Sequence, residues 1–193
     1  MGAFAPVLFF MGADCAHFLF SGEITMKNRA RHLAQAAILA ALYAVLTHLQ
    51  NILFPGSATW AIQLRMSEAL NIFCFLTPAA PMGLAIGCLI FNLTFAAALP
   101  LDFLLGTLAT YFAGKCMWYT RNITVCKVPV PGLLMPALWN AILVGMELTV
   151  YIGGGFWLNA LYVAIGEAIV LLVFGTALYW LLKQRNLDRR LFG

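Results

Sequence analysis

The chain has 193 residues, of which 63% are hydrophobic and 9% are charged, and its mean hydropathy is +0.92. An ordinary soluble domain is about half apolar, so this composition excludes a soluble globular fold and indicates a membrane protein. The formal net charge of +4 comes from basic residues at predicted helix ends rather than in one stripe, which argues against nucleic-acid binding.

The N-terminal stretch, residues 1–25, is interrupted by Asp14 and glycines and lacks a basic start. It therefore fits neither a signal peptide nor a complete span. Met26 is followed by a basic cluster and a helical pattern, which is typical of a natural start. We predict that residues 1–25 are an extension, either an over-called start or an interfacial segment, and that residues 26–193 form the membrane domain.

Six apolar helical stretches follow with short gaps between them, and about 20 apolar residues suffice to cross a membrane. The predicted spans cover about residues 30–49, 67–76, 82–99, 101–119, 132–151 and 157–182. No soluble linker separates them. We therefore predict an all-α integral membrane protein, folded as one compact bundle of six transmembrane helices.

Basic residues near the span ends predict the orientation. They precede span one, lie between spans four and five, and follow span six: Lys27, Arg29, Arg31, Lys115, Arg121, Lys127, Lys183, Arg185, Arg189 and Arg190. All three groups fall on one side of a six-span protein, which the positive-inside rule assigns to the cytoplasm. Both termini are then cytoplasmic, and Arg65 alone is predicted at the outer surface.

Ionisable and amide side chains within spans are costly, and they usually face a bundle interior or a cavity. The candidate binding residues of this kind are Arg65, Glu68, Asn71, Asn140, Glu147, Asn159 and Glu167. Glu68 and Asn71 share a helix face, as do Asn140 and Glu147. For any single asparagine, interhelical hydrogen bonding is the alternative. As a set, with Asp102 a fourth carboxylate, they predict a ligand cavity open to the outside.

Arg65 and Glu68 stand three residues apart in "WAIQLRMSEALNIF". One interpretation is an interfacial salt bridge at the start of a helix, with Ser67 as its cap. The other is that Arg65 locks the first external loop over the pocket through Glu68 or another carboxylate.

Aromatic residues flank the predicted external turns, and Trp60, Trp157 and Tyr162 are candidates for stacking on a ligand. The alternative is the interfacial aromatic belt. The glycines of "YIGGGFW" make the last external turn flexible, as a lid would be.

Small residues mark one face of span one, where Ala36, Ala40 and Ala44 recur at spacing four beside Ala37 and Ala41. Such a face lets another helix approach closely, either inside the bundle or on a separate protein. The cysteines form no C-x-x-C pair and the histidines are scattered, so no metal site is predicted. A Walker A sequence is also missing, so any ATPase must be another chain.

Three motifs, "IQLRMSEALNIFCFLTPAA", "LWNAILVGMEL" and "FWLNALYVAIGEAIV", resemble the QueT family, the substrate-binding S-components of energy-coupling factor (ECF) transporters for queuosine precursors. The resemblance implies a non-enzymatic protein of the prokaryotic cell membrane. Its outward-opening pocket would be covered by the loops at 50–64 and 152–156. It would dock through the alanine face on an EcfT-type coupling protein carrying two cytoplasmic ATPases. The chain itself then needs no cofactor, since ATP is used by those ATPases.

A 7-deazaguanine offers a flat face and two adjacent N–H donors that one carboxylate can accept together, and its aminomethyl form adds a cation. Glu147 or Glu167 is expected to take the guanine-like edge and the other the ammonium, with Asn140 and Asn159 reaching the remaining groups. The alternatives are an S-component for a flavin, thiamine or biotin, an intramembrane enzyme using the two glutamates as acid and base, or a purely structural subunit.

Overall fold

The computed structural model describes residues 26–55, 57, 64–95, 98–125 and 128–184. Its helical segments are α1 (Met26–Leu53), a 3₁₀ helix (Met66–Phe75), α2 (Ala80–Thr94), α3 (Asp102–Thr120), α4 (Val130–Tyr151) and α5 (Phe156–Gln184). Leu134 interrupts α4, and a π-helical turn at Leu171–Gly175 interrupts α5.

The chain divides into two compact units, Met1–Leu33 and Ala34–Gly193. In the first unit, the described residues are the beginning of α1. The predicted extension at 1–25 lies outside the described residues, so the boundary at Met26 stays a prediction. The fold and the site described below belong to the second unit.

The all-α class is confirmed, and each predicted span corresponds to one helical segment. By length and composition, three helices among the described residues can cross a membrane: Arg29–Leu53, Val130–Tyr151 and Phe156–Gln184. The other segments are shorter or less apolar. The largest departure from expectation is the second span, which is a 3₁₀ helix of only 10 residues.

The 3₁₀ helix runs through the interior, and every residue from Ser67 to Ile72 is buried. It contacts α2, α3 and the π-helical turn of α5. Since a 3₁₀ helix rises about 2.0 Å per residue against about 1.5 Å for an α-helix, ten residues reach about 5 Å further. Side chains three apart also align, so Glu68, Asn71 and Cys74 share one column.

Small residues bring α1 and α2 into close contact. A Cβ added to Gly83 would lie 2.5 Å from the Ala36 carbonyl oxygen, and one on Gly87 would lie 2.6 Å from that of Ala40. Such distances are shorter than van der Waals contact, so only glycine fits at either position of α2.

The alanines of α1 are therefore divided between two faces. Ala40 and Ala44 are buried inside the bundle, whereas Ala37 and Ala41 are exposed. The expectation that the spacing-four alanines form an exposed docking face does not fit this arrangement. Packing against Gly83 and Gly87 of α2 accounts for Ala36 and Ala40, and Ala44 is buried within the bundle.

The helices α4 and α5 form an antiparallel hairpin. Gly145 allows close approach, since a Cβ there would lie 2.9 Å from the Cα of Ala160. Val144, Leu148 and Val163 form a small core beside this contact. The hairpin sets the register that brings polar residues of the two helices together.

A test of the α1–α2 contact is to replace Gly87 by valine. The added side chain would overlap the backbone at Ala40, and overpacking of this kind costs about 1–3 kcal/mol. Thermal unfolding in detergent should therefore show a lower midpoint for Gly87→Val than for the wild type. Ile86→Val, at an exposed position of the same helix, is the matched control and should change the midpoint little. Equal midpoints for the two variants would contradict the contact.

Candidate functional site

Buried polar side chains gather near one end of the bundle, here called the loop end. At this end α1, α2 and α4 finish, and the 3₁₀ helix, α3 and α5 begin. Hydrogen bonds join these helix ends in pairs: His48 to Thr94 (2.9 Å), Gln50 to Met66 (2.8 Å) and Thr149 to Asn159 (3.1 Å).

Arg65 forms an ion pair with Asp102, whose Oδ2 lies 3.2 Å from the Arg65 Nη2. Only 1% of Arg65 is exposed, so its side chain is buried in the bundle. The side of the membrane on which Arg65 lies stays a prediction. Asp102 is the first residue of α3, and its carbonyl oxygen accepts a 2.8 Å hydrogen bond from the Asn92 amide. The ion pair thus ties the start of the 3₁₀ helix to the start of α3. The ion pair with Asp102 agrees with the second interpretation in so far as that interpretation allows a carboxylate other than Glu68. The closing of the loop over a pocket stays a prediction.

The carboxylate of Glu68 is held by two donors. The Tyr43 hydroxyl donates to Oε1, and the Asn71 amide donates to Oε2 at 2.5 Å. Tyr43 was not among the predicted site residues, although its position one turn before Thr47 on α1 is the kind of polar face that could have revealed it. Glu68 is fully buried and both of its oxygens are engaged.

Gln50 organises the return of the first loop. Its side-chain oxygen accepts the Met66 backbone N–H at 2.8 Å, and its amide donates to Ser57 at 2.9 Å and to the Leu64 carbonyl. Ser67 does not cap the 3₁₀ helix, because its hydroxyl shares a 2.7 Å hydrogen bond with Thr47. Because α1 ends at Leu53, the loop predicted at 50–64 begins inside this helix.

Asn140 and Glu167 meet across the α4–α5 hairpin, where the Asn140 amide donates to Glu167 Oε1 at 2.6 Å. Both residues are buried. The Glu167 carboxylate also lies within electrostatic range of Glu68 and Arg65. The Glu167 carboxylate of α5 and the Glu68 carboxylate of the 3₁₀ helix are therefore close enough to repel each other.

Glu147 lies on the same face of α4 as Asn140, two turns or about 10 Å closer to the loop end. Only 1% of it is exposed, and neither of its oxygens has a hydrogen-bond partner among the described residues. Its carboxylate is within electrostatic range of Asp102 and Arg65, and the Leu101 backbone N–H approaches it without the geometry of a well-formed hydrogen bond. Glu147 is therefore a buried carboxylate with no well-formed hydrogen bond to either oxygen from the described residues.

Other buried side-chain oxygens of the described residues also have no hydrogen-bond partner. Those without a hydrogen-bond partner in the described parts of the chain belong to Asn51, Asn71, Asn92, Asp102, Asn140, Glu147 and Glu167. The amide orientations of Asn71 and Asn140 are well determined, because each NH₂ group donates to a carboxylate. Buried polar atoms are rarely left unpaired in proteins, so this set of acceptors calls for donors.

Three of the predicted binding residues that the structure describes do not join this cluster. The Asn159 amide donates to Thr149 and to the Gly153 carbonyl at 3.0 Å, so Asn159 holds the α4–α5 turn together. Trp157 is 83% exposed and Tyr162 is 37% exposed, as expected for the alternative of an aromatic belt. Trp60 lies outside the described residues.

The turn between α4 and α5 depends on glycine. Gly153 and Gly154 have φ angles of +88° and +85°, which side chains with a Cβ rarely adopt. The sequence predicts this turn to be flexible, and the hydrogen bond from the Asn159 amide to the Gly153 carbonyl restrains it. Among the described residues, no group of three or more His, Cys, Asp or Glu could hold a metal ion.

The sequence was compared with models of known protein families. A family model described as QueT transporter matches residues 33–184, which include every described residue of the cluster. The chain belongs to the QueT transporter family. Membership in the QueT transporter family makes it a membrane transport protein, with a role in binding substrate. No curated protein and no solved structure matches the chain.

A double-mutant cycle tests the buried ion pair. Arg65→Met leaves Asp102 as a buried uncompensated charge, and breaking a pair in this way costs about 3–5 kcal/mol. Arg65→Met combined with Asp102→Leu should recover much of that loss, because no charge then stays buried. Thermal unfolding in detergent measures all three variants. Strictly additive effects of the two substitutions would show that the residues do not interact.

Proposed function

We propose that this chain is the S-component of an ECF-type importer and that it captures a 7-deazaguanine precursor of queuosine. The observation that carries the proposal is the set of buried, unpaired oxygen acceptors around Glu147, Glu167 and Asn140. A 7-deazaguanine presents a ring N–H, an exocyclic amine and a pyrrole N–H, so its edges are rich in donors. Burying acceptors without donors is costly, and this ligand class would complete them.

The charges of the cluster favour a cationic form of that ligand. Glu68, Asp102, Glu147 and Glu167 are all buried, and among the described residues Arg65 is the only arginine or lysine that is buried with them. An ammonium group would offset part of the excess negative charge, so the aminomethyl form suits the site better than a neutral one. An anionic vitamin such as biotin would add a further negative charge, which the cluster disfavours.

The distribution of basic residues supports an outward-facing site. Lys115, Arg121 and Lys183 lie toward the end of the bundle opposite the loop end, near the C-termini of α3 and α5. Under the positive-inside rule that end is cytoplasmic. The loop end then faces outward in the prokaryotic plasma membrane, with six spans and both termini inside the cell.

Delivery into the cell is assigned to partner chains, an EcfT-type coupling protein and two cytoplasmic ATPases. The exposed alanines of α1, Ala37 and Ala41, offer a face on which another helix can pack closely. Ala36, Ala40 and Ala44 would support this face from inside through their contacts in the bundle.

Calorimetric titration of the detergent-purified protein with 7-aminomethyl-7-deazaguanine tests the substrate. We expect one ligand per chain, and Glu167→Gln should weaken binding by about 10- to 100-fold because one hydrogen bond to a charged group is lost. Tyr151→Phe, at an exposed tyrosine, is the control and should bind normally.

Riboflavin, thiamine and biotin are titrated in parallel. Tight binding of one of them, with no binding of the deazaguanine, would reassign the substrate within the same transporter class. Chemical conversion of the ligand would indicate an enzyme. Absence of binding by every compound would leave the structural subunit as the better interpretation.

The docking face is tested by Ala41→Leu. The larger side chain should reduce co-purification with the EcfT-type protein, because it prevents close helix approach, while ligand affinity stays unchanged. Ala177→Leu, at an exposed position of α5, is the matched control. Undiminished assembly of Ala41→Leu would remove this face from the docking surface.

A further inference from the structure

We infer that Glu147 reads the paired N–H donors on the guanine-like edge of the ligand, whereas Glu167 and Asn140 receive its ammonium group. This inference rests on the proposed function and assigns the orientation of the ligand within the site. The sequence leaves the two glutamates interchangeable. The contacts made by each carboxylate distinguish them.

The first argument is the occupancy of the carboxylate oxygens. Two adjacent N–H donors need both oxygens of one carboxylate. Glu68 has both oxygens engaged, Asp102 binds Arg65 through Oδ2, and Glu167 binds Asn140 through Oε1. Among the buried carboxylates that the structure describes, Glu147 alone keeps both oxygens unpaired.

The second argument is the distribution of charge along the bundle. Near the loop end, Glu147 shares its surroundings with the Arg65–Asp102 ion pair. The Glu167 carboxylate, about 10 Å further from the loop end than Glu147, lies within electrostatic range of both Glu68 and Arg65, and its hydrogen-bonding partner Asn140 is neutral. Because Arg65 is engaged by Asp102, the Glu68 and Glu167 carboxylates together carry an excess of negative charge. The ammonium is most favourable there, and the uncharged ring edge is most favourable at Glu147.

The third argument is geometric. Asn140 and Glu147 lie on one face of α4, about 10 Å apart along its axis, and Asn140 holds Glu167 at its own depth. A flat bicyclic ring lying along this face can reach both levels. Glu167 Oε2 and Asn140 Oδ1 are both unpaired, so each can accept one N–H of the ammonium.

Two edits of the ligand test the assignment on the full-length protein. The probes are 7-aminomethyl-7-deazaguanine, its analogue without the exocyclic amine, and its analogue with methyl in place of aminomethyl. The wild type should lose at least about 30-fold in affinity with either edit, because a site built to hydrogen-bond a group rejects a ligand without it. Calorimetry measures each dissociation constant.

The variants separate the two roles. Glu147→Gln should bind the parent compound weakly and respond within about threefold to loss of the exocyclic amine, while keeping its preference for aminomethyl over methyl. Glu167→Gln should show the reverse pattern. Glu147→Asp keeps the charge and withdraws the carboxylate by one methylene, so it provides a second variant if Glu147→Gln folds poorly. It should also lose dependence on the exocyclic amine.

The possible failures are distinguishable. If Glu167→Gln rather than the Glu147 variants removes dependence on the exocyclic amine, the orientation is reversed and the inference is wrong. If all variants keep the wild-type dependence on both groups, neither glutamate reads them. If no probe binds the wild type, the proposed function itself fails.

Discussion

Charge buried in an apolar bundle must be neutralised locally, and the pairing of Arg65 with Asp102 meets this requirement where three parts of the chain converge. An isolated ion is very costly in a medium of low dielectric constant, so neither residue could occupy its position alone. The pair joins the end of the first loop to the first residue of α3. The 3₁₀ helix that begins one residue later is thereby directed into the bundle interior, where it carries Glu68 and Asn71 to the site.

Around this ion pair, the hydrogen-bond donors of the described buried side chains are paired, whereas several of the oxygen acceptors are not. Donors are used up within the chain: the Tyr43 hydroxyl and the Asn71 and Asn140 amides all point at carboxylates. The unpaired groups of the described residues are oxygens. This excess of unpaired oxygens is the observation on which the proposed binding role rests.

The helices were predictable because runs of apolar residues of the right length report directly on membrane-spanning structure. The polar residues Glu68, Asn71, Asn140, Glu147 and Glu167 were also identifiable, since their cost in such runs marks the interior. The 3₁₀ conformation of Met66–Phe75 could not be predicted. A segment that is buried on all sides shows no periodic pattern of polar and apolar residues that would distinguish a 3₁₀ helix from an α-helix. Nor could spacing alone decide that Asn159 holds a turn, or that α2 would cover Ala40 with a glycine.

The ion-pair partner of Arg65 also could not be predicted from the sequence. The predicted topology indicated that Arg65 was an unusual basic residue. Its partner Asp102 depends on how the first loop folds back, and the positions of charges in the sequence do not give that. Tyr43 was overlooked for a related reason: a tyrosine in an apolar helix is usual at a membrane interface, so its spacing from Thr47 was only a weak signal of the contact with Glu68.

The open acceptors near the loop end also bear on how long the protein lasts in the membrane. If the cargo supplies the missing donors, loaded molecules are stabilised relative to empty ones, by about 2.7 kcal/mol at a ligand concentration one hundred times the dissociation constant. Degradation that proceeds through partly unfolded chains would then remove empty receptors faster than occupied ones. The abundance of the receptor would follow the external supply of its cargo without any change in its synthesis.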